Sequence, residues 1–242
     1  MARATVTNLR IGSFCVELGH NDATLKVPAG IHRRYELELM EGPVRGLVLH
    51  QQGKLVLHGS CVQLGRIVLS IVGTSGSGKS TLAAALCARR GQLVSDGMTP
   101  IDPITGAVVV APARVKLAEE SLRLLGHDPN TLEQVHPQSL KRYLSVEGCG
   151  GDVKLDAVLC VEDATGTDIV PLTGTAAVMK LVSNSYLAEY LPSEFGPTLL
   201  ERAAALAERL PIGLLRRERK PEFLGATVQC IETFASALAV ER

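Results

Sequence analysis

Tryptophan is missing from this 242-residue chain, and only four Phe and four Tyr supply large aromatic rings. Single-stranded nucleic acid is held largely by bases stacked on such rings, so no stacking platform is expected. A charge excess is missing too: 25 Lys and Arg balance 25 Asp and Glu. Binding to nucleic acid or to an anionic membrane surface draws on a basic surplus, so neither is an expected partner. The six cysteines, Cys15, Cys61, Cys87, Cys149, Cys160 and Cys230, contain no C-x-x-C pair, which leaves zinc ligation without support. A disulfide framework is unusual at this length, so they read as small buried hydrophobes in a reducing compartment. No stretch approaches the roughly 18 uninterrupted apolar residues of a membrane span. No apolar segment follows Met1-Ala-Arg-Ala-Thr5, so no leader is read there and the expected location is the cytoplasm. Internal repeats, low-complexity tracts and obvious linkers are also absent.

What is present is a chain with 46% apolar residues, long enough for a sizeable core, and one sharply defined motif. Gly73, Thr74, Ser75, Gly76, Ser77, Gly78, Lys79 and Ser80 fit the G-x-x-x-x-G-K-[ST] spacing of a phosphate-binding loop. The flanks agree. Ile67–Val72 is a short apolar run suited to a buried strand. After Thr81, the Ala- and Leu-rich segment from Leu82 to Arg90 favours helix, with Gly91 as its expected C-terminal cap. Glycine permits backbone conformations and close approaches that a Cβ blocks. The loop N–H groups and the positive end of the helix can then hold a phosphate chain, with residues 73 to 81 as the nucleotide-binding set. Lys79 would reach the β- and γ-phosphates, and the Ser80 hydroxyl would take one position on Mg²⁺.

Taken in order, the first 42 residues read as a β-rich segment, with strands at Phe14–Leu18, Ala23–Val27 and Tyr35–Leu39 separated by turns at Asn21-Asp22 and Pro28–Gly30. A second unit, 43–242, reads as an α/β layered domain containing the phosphate loop. Within it Pro43–Gln52 is expected as a short helix closed by Gly53, and Lys54–Val62 as one strand turning at Leu64-Gly65-Arg66 into the strand before the loop. Gln92–Asp96 and Ala107–Val110 are expected strands around turns at Asp102-Pro103 and Thr105-Gly106, and Lys116–Leu125 an expected helix. Residues 144–153, with Gly148, Gly150 and Gly151, read as mobile. Strands are expected at Leu155–Val161, Ile169–Leu172 and Ile212–Leu215. Helices are expected over Ala176–Tyr190, after Pro197 with Leu199, Leu200, Ala203, Leu206 and Leu210 on one face, and over Val228, Ile231, Ala235 and Leu238.

A phosphate loop does not by itself say what the phosphoryl group is for. A transport-cassette ATPase would carry an L-S-G-G-Q-like segment and a small GTPase an Asn-Lys-x-Asp motif; neither is present. The Arg-rich lid of nucleoside-monophosphate kinases has only Arg216-Arg217-Glu218-Arg219 as a counterpart, which a solvated loop explains equally well. Two further residues stand out. Asp96 ends the strand after the loop helix, where a carboxylate can hold Mg²⁺ or accept the proton of an attacking hydroxyl; it could equally be a strand-end turn former. His58, on the strand before the loop, could orient that carboxylate, or could be a buried, hydrogen-bonded core histidine. Arg114, Lys116 and Arg142 could clamp phosphates or simply be solvated. His20, His32, His50, His127 and His136 show no ligand spacing.

Leu57-His58-Gly59-Ser60, the glycine loop, Ser80-Thr81-Leu82-Ala83 and Leu93-Val94-Ser95-Asp96 together resemble the catalytic domain of HPr kinase/phosphorylase and its shorter relatives, clearly over about residues 46–117. Lys141-Arg142, the strand at Leu155 and Leu181–Tyr186 are similar to the shorter relatives alone, among them kinases linked to ribosomal peptide precursors. The resemblance implies a P-loop kinase fold, ATP and Mg²⁺ as cofactors, Asp96 as general base, His58 as the imidazole beside it, and assembly into a homo-oligomer. This chain departs from the family in having Asp96-Gly97 in place of two adjacent aspartates and Ser80-Thr81 in place of Ser-Glu. It also lacks the later Arg-Gly-Leu-Gly-Ile signature. The expectation is an ATP- and Mg²⁺-dependent kinase of a serine-type hydroxyl in a protein or peptide, with Asp96, His58 and Lys79 catalytic and Ser80 and Asp96 on the metal. A kinase of a small hydroxylated metabolite and a nucleotide-binding regulator without transfer stand as alternatives.

Overall fold

The computed structural model describes residues 7–11, 13–19, 23–191, 193 and 195–240; His20 and the Asn21-Asp22 turn lie outside them. Strands β1 (Thr7–Ile11), β2 (Phe14–Leu18) and β3 (Ala23–Lys26) form an antiparallel sheet. Phe14, Val16 and Leu18 are buried on one face of β2, the period of two expected of a sheet with one wet side. The strand expected at Tyr35–Leu39 is instead helix α1 (Arg33–Leu39). Glu and Leu are strong helix formers, and His32 caps the helix by accepting the Arg34 N–H on Nδ1 at 3.1 Å. A π-helical turn holding Pro43 (Met40–Val44) leads into α2 (Arg45–Gln51), and Gly53 follows at φ +88° as its closing residue. Leu39, Val44 and Leu47 pack with the apolar face of the β1–β3 sheet in one cluster.

At the end of α2, His50 is fully buried, and its Nε2–H donates to the Tyr186 carbonyl at 2.8 Å. Burial pushes its pKa down to about 4, only partly opposed by that carbonyl. A histidine depressed in the folded state contributes stability above its ordinary value of about 6.5, and that contribution is lost as pH falls toward the folded value. The fold should therefore weaken between about pH 6.5 and 4, by about 2–3 kcal/mol from His50. His50→Gln, whose amide can still donate to Tyr186, should flatten that part of a melting-temperature profile. Parallel wild-type and mutant profiles would refute it.

The stretch Lys54–Val62 does not form one strand. It breaks at His58 into β4 (Leu55–Leu57) and β5 (Gly59–Leu64), which belong to different sheets. Gly59 makes the crossover possible, since a Cβ there would lie 2.7 Å from the Ile71 carbonyl and 2.9 Å from Val72 Cγ1. After the turn at Gly65 comes β6 (Ile67–Val72), then the glycine loop, α3 (Lys79–Cys87) and β7 (Gln92–Ser95). The left-handed residue behind α3 is Arg90 at φ +78°, not the expected Gly91. Glycine at 91 answers to space instead: a Cβ would meet Leu64 and the Leu86 carbonyl at 2.9 Å.

Next come β8 (Thr99–Ile101), β9 (Ala107–Val108) and β10 (Arg114–Ala118), which runs directly into α4 (Glu119–Leu124). The first residues of the expected helix Lys116–Leu125 are thus strand, because Val115 and Leu117 alternate into the core and β10 pairs with β11 (Lys141–Ser145). The stretch 144–153, expected to be mobile, is seated on the sheet edge: the Leu93 carbonyl accepts from Cys149 N–H, and Leu93 N–H donates to Glu147, both at 2.8 Å. The chain continues through β12 (Val153–Lys154), β13 (Ala157–Asp163), β14 (Asp168–Leu172), α5 (Gly174–Ser183), α6 (Phe195–Ala207), β15 (Ile212–Arg217) and α7 (Leu224–Val240).

The main sheet has six strands in the order β14-β15-β13-β6-β5-β7, with β6, β13 and β15 parallel to one another. β6 lies inside it and is buried throughout. Ile67, Leu69 and Ile71 face α3 and α7, while Val68 and Val72 face α5 and α6. A fully buried side chain of this kind contributes about 1.5–3 kcal/mol, so the strand delivers the loop from a fixed point. On α6, Leu199, Ala203 and Leu206 are buried, but Leu200, expected on that face, is 48% exposed. By length and composition Pro221–Val240 is apolar enough to cross a bilayer; in this fold its Val228, Ile231 and Ala235 are buried in the core between α3 and the sheet. The mixed α/β, layered architecture agrees with the coarse expectation.

Candidate active site

The glycine loop closes through two left-handed residues, Gly76 at φ +77° and Gly78 at φ +81°. At Gly78 the Arg217 guanidinium also comes close, 2.6 Å from where a Cβ would stand. Lys79 opens α3 and bends back over the loop, donating from Nζ to the Gly73 carbonyl at 2.9 Å and the Thr74 carbonyl at 2.8 Å. Burial lowers its pKa to about 8, with Asp96 pulling it up and Lys141 down. It is therefore mainly protonated at neutral pH.

Asp96 follows β7. β7 is not next to β6; β5 lies between them. Because β5 is antiparallel to both, β6 and β7 run the same way, and Asp96 still emerges at the end of the sheet that carries the loop. Its Oδ1 accepts from Ser80 Oγ at 2.8 Å and from Ser60 Oγ at 2.6 Å, and its Oδ2 accepts from the Lys116 N–H at 3.0 Å. Three separate pieces of chain (β5, the start of α3 and β10) thus converge on the carboxylate that ends β7.

These groups border a cavity of about 400 Å³. Of the residues named from sequence, His58, Ser75, Gly76, Gly78, Lys79, Ser80, Thr81 and Asp96 line it. Gly73, Thr74 and Ser77 lie in the loop backbone beneath, where Gly73 and Thr74 receive Lys79 and the Ser77 carbonyl receives Arg217. The Thr81 hydroxyl donates to Ser121 on α4 at 3.0 Å. His58, at the crossover between sheets, is held by its backbone: its N–H donates to Asn184 at 2.7 Å and its carbonyl accepts from Gly73 at 3.3 Å. Its ring meets Tyr186 edge-on, with centroids 5.7 Å apart. Burial, reinforced by Lys79 and Lys141, drives its pKa down to about 4, so the imidazole on this wall is neutral at pH 7.

The three candidate clamps separate. Lys116 lines the cavity but pairs with Glu38, Arg114 pairs with Glu41 at 3.0 Å, and Arg142 pairs with Glu119 at 3.1 Å. Sequence reasoning missed others. Arg217, passed over as part of a solvated loop, is 6% exposed at the end of β15 and donates to the Ser77 carbonyl at 2.5 Å. Lys141 at the start of β11 and Arg219 and Lys220 beyond β15 also reach the cavity wall. The cluster Arg216–Arg219 was visible, but only the pairing of β15 with β13 and β13 with β6 brings it to the loop.

The wall carries six cations; Lys116 and Lys220 pair with Glu38 and Glu218 and Arg219 lies 4.0 Å from Asp163, which leaves Lys79, Lys141 and Arg217 against the carboxylates Asp96 and Glu120. Such an excess in a recess favours an anionic ligand. Two buried polar atoms at the loop, Ser77 Oγ and Arg217 Nε, have no hydrogen-bond partner, and buried groups of that kind are ordinarily satisfied. Ser80 Oγ beside Asp96 is a hard oxygen pair suited to Mg²⁺, which commonly takes one or two protein ligands and completes its shell from phosphates and water. No cluster of three or more His, Cys, Asp or Glu is found among the described residues, so an all-protein metal cage does not fit.

The sequence matches no family model, and no curated protein is similar to it. Among solved structures, the chain is similar to one described as the Hpr(Ser) kinase/phosphatase from Coxiella burnetii. The match has a TM-score of 0.40 and 10% identity over 77% of this chain and 93% of that one. At that level of likeness no site residue carries across.

Proposed function

We propose that this chain is a phosphotransferase that moves the γ-phosphoryl group of ATP to a serine-type hydroxyl of a protein or peptide. The observation that carries the reading is the meeting of Ser80 and Asp96, 2.8 Å apart, beside a lysine bent over a glycine loop, all on one cation-rich cavity. Phosphoryl transfer needs little covalent chemistry from the protein; it needs positioning and charge stabilisation, and this arrangement supplies both. The loop N–H groups and the N-terminus of α3 would hold the phosphates. Lys79 would leave the Gly73 and Thr74 carbonyls for the β- and γ-phosphates, and Arg217 would stiffen the loop through Ser77. Ser80 and Asp96 would hold Mg²⁺, which when bound neutralises developing charge on the phosphates.

In the transfer, the acceptor oxygen bonds to the γ-phosphorus and the bond from that phosphorus to the bridging oxygen breaks. ADP departs with the electron pair, and the hydroxyl proton passes to Asp96 and then to water. His58, neutral, would contribute shape and a hydrogen bond to this wall rather than charge. Under the same reading residues 1–42 are an accessory segment on a 43–242 transferase unit, acting in the cytoplasm on a protein partner.

One observation favours a second reading. Asp96 already accepts three hydrogen bonds, as a carboxylate serving only as an anchor for metal and loop would, in a nucleotide-binding regulator without transfer. Purified protein incubated with Mg²⁺ and γ-labelled ATP, with and without extract of the source cell, separates the two. Label in a protein or peptide band is the expected result. Bound ATP with no label transferred anywhere overturns the transferase reading in favour of the regulator.

A further inference from the structure

A second, smaller cavity of about 120 Å³ adjoins the large one and shares Asp96 and Lys116 with it. A carboxylate that lines both recesses can take the proton of an acceptor held in one while a phosphoryl donor occupies the other. The small cavity has apolar walls, Met98, Pro100, Val109 and Pro112, and a charged far end formed by Glu41, Arg45 and Arg114. It has room for a short side chain and none for a nucleotide.

The charges at that end do not cancel. Glu41 pairs with Arg114 at 3.0 Å, and the guanidinium of Arg114 also lies over the Tyr143 ring, 4.2 Å from its centroid. Lys116 is paired with Glu38. Arg45 is left with no ion pair or side-chain hydrogen bond among the described residues, although it is partly buried. A half-buried guanidinium without an anion is poised for one, and its planar fork suits a carboxylate or phosphate.

Arg45 is held in place by the backbone under it. It begins α2 directly after the π-helical turn. Gly46 next to it packs on Tyr186 so closely that a Cβ would lie 2.7 Å from the ring and 3.6 Å from Met98 Sδ. Gly42, one turn earlier, faces the Tyr186 hydroxyl, where a Cβ would stand at 3.4 Å. Two glycines four residues apart thus press this helical ridge against Tyr186 and Met98 and fix the point from which the guanidinium projects.

Building on the phosphotransferase reading, the geometry points to this small cavity as the acceptor subsite, taking a short hydroxylated side chain that has an anionic group, a carboxylate above all, close beside it. The hydroxyl sits against Asp96 and the anion against Arg45. A serine flanked by an acidic residue in a peptide and a free hydroxy acid both carry that chemistry.

The test uses the full-length protein with Mg²⁺ and γ-labelled ATP. It is offered short serine peptides that differ only in having Glu, Gln or Lys next to the serine, alongside small free hydroxy acids. Glu-flanked peptides or hydroxy acids should be phosphorylated with a KM about tenfold below that of the Gln peptide, and whichever of these two arms is used identifies the source. Arg45→Gln should erase the preference, while Arg45→Lys should retain part of it. A readout independent of turnover accompanies this: calorimetric titration of a Glu-flanked peptide carrying Ala in place of the serine, expected to bind the wild type and to lose about tenfold in affinity with Arg45→Gln. Nucleotide binding by the variant reports that it is folded. Transfer with equal preference for Gln or Lys peptides, or unchanged affinity in Arg45→Gln, overturns the acceptor assignment and leaves the phosphotransferase reading standing. ATP bound with no transfer to any acceptor removes both.

Discussion

Asp96→Asn should lower phosphoryl transfer by about 10²–10⁴-fold, the range contributed by a positioned acid–base group, while leaving ATP affinity measured without Mg²⁺ within a small factor of wild type. The local structure makes this substitution unusually informative. Oδ1 of Asp96 faces two hydroxyls, Ser60 and Ser80, and Oδ2 faces the Lys116 N–H. A hydroxyl can turn to accept as readily as it donates, whereas an amide N–H cannot. An asparagine can therefore point its oxygen at Lys116 and its NH₂ at the serines, and every partner stays satisfied. The cost to stability should stay within about 1 kcal/mol. Asp96→Ala, by contrast, strands the Lys116 N–H and should cost about 1–3 kcal/mol, mixing folding with chemistry. Turnover of label, nucleotide affinity and melting temperature, measured together on Asp96→Asn, separate the contributions. Unimpaired turnover in the asparagine variant would remove Asp96 from the chemistry.

Lys79→Ala should weaken ATP binding by about 10²-fold or more and transfer by about 10²–10³-fold, on the scale of losing one preorganised donor to developing phosphate charge. The lysine spans the Gly73 and Thr74 carbonyls and is 6% exposed. Its charge is thus stored at the mouth of the loop with little water around it. Burial sets its pKa at about 8. Raising the pH through that value removes the proton, so wild-type ATP affinity should fall above about pH 8 and the Lys79→Ala protein should lack that decline. Equilibrium binding of a fluorescent ATP analogue from pH 6.5 to 9.5 reads both effects. Equal affinity in the two proteins would mean that the phosphates are held by the loop amides and Arg217 alone.

Legibility in the sequence followed the range of the interaction. The loop and its flanks were readable because each is local: glycine where φ is positive, apolar residues at every position but Ser70 of a doubly buried strand, and Ala and Leu where the helix runs. The last helix was readable for the same reason, with Val228, Ile231 and Ala235 at helical spacing and buried as expected. Segments whose pattern suits two structures were misread. Tyr35–Leu39 alternates like a strand, but its residue types favour helix and His32 caps it. Lys116 is strand rather than helix because β11 lies ready to pair with it.

By itself the sequence determined the glycine loop and the strand and helix on either side of it, because eight consecutive residues and their immediate flanks carry that local structure. Only the tertiary structure decided what stands around the loop. It set β5 between β6 and β7 yet kept Asp96 within 2.8 Å of Ser80, broke the strand at His58, and brought Arg217 onto Ser77 from 140 residues away. It also left Arg45 on a second cavity without an ion pair among the described residues. These are long-range outcomes: strand order, crossover and side-chain pairing follow from how separate apolar faces close over one another, and no local spacing records that choice.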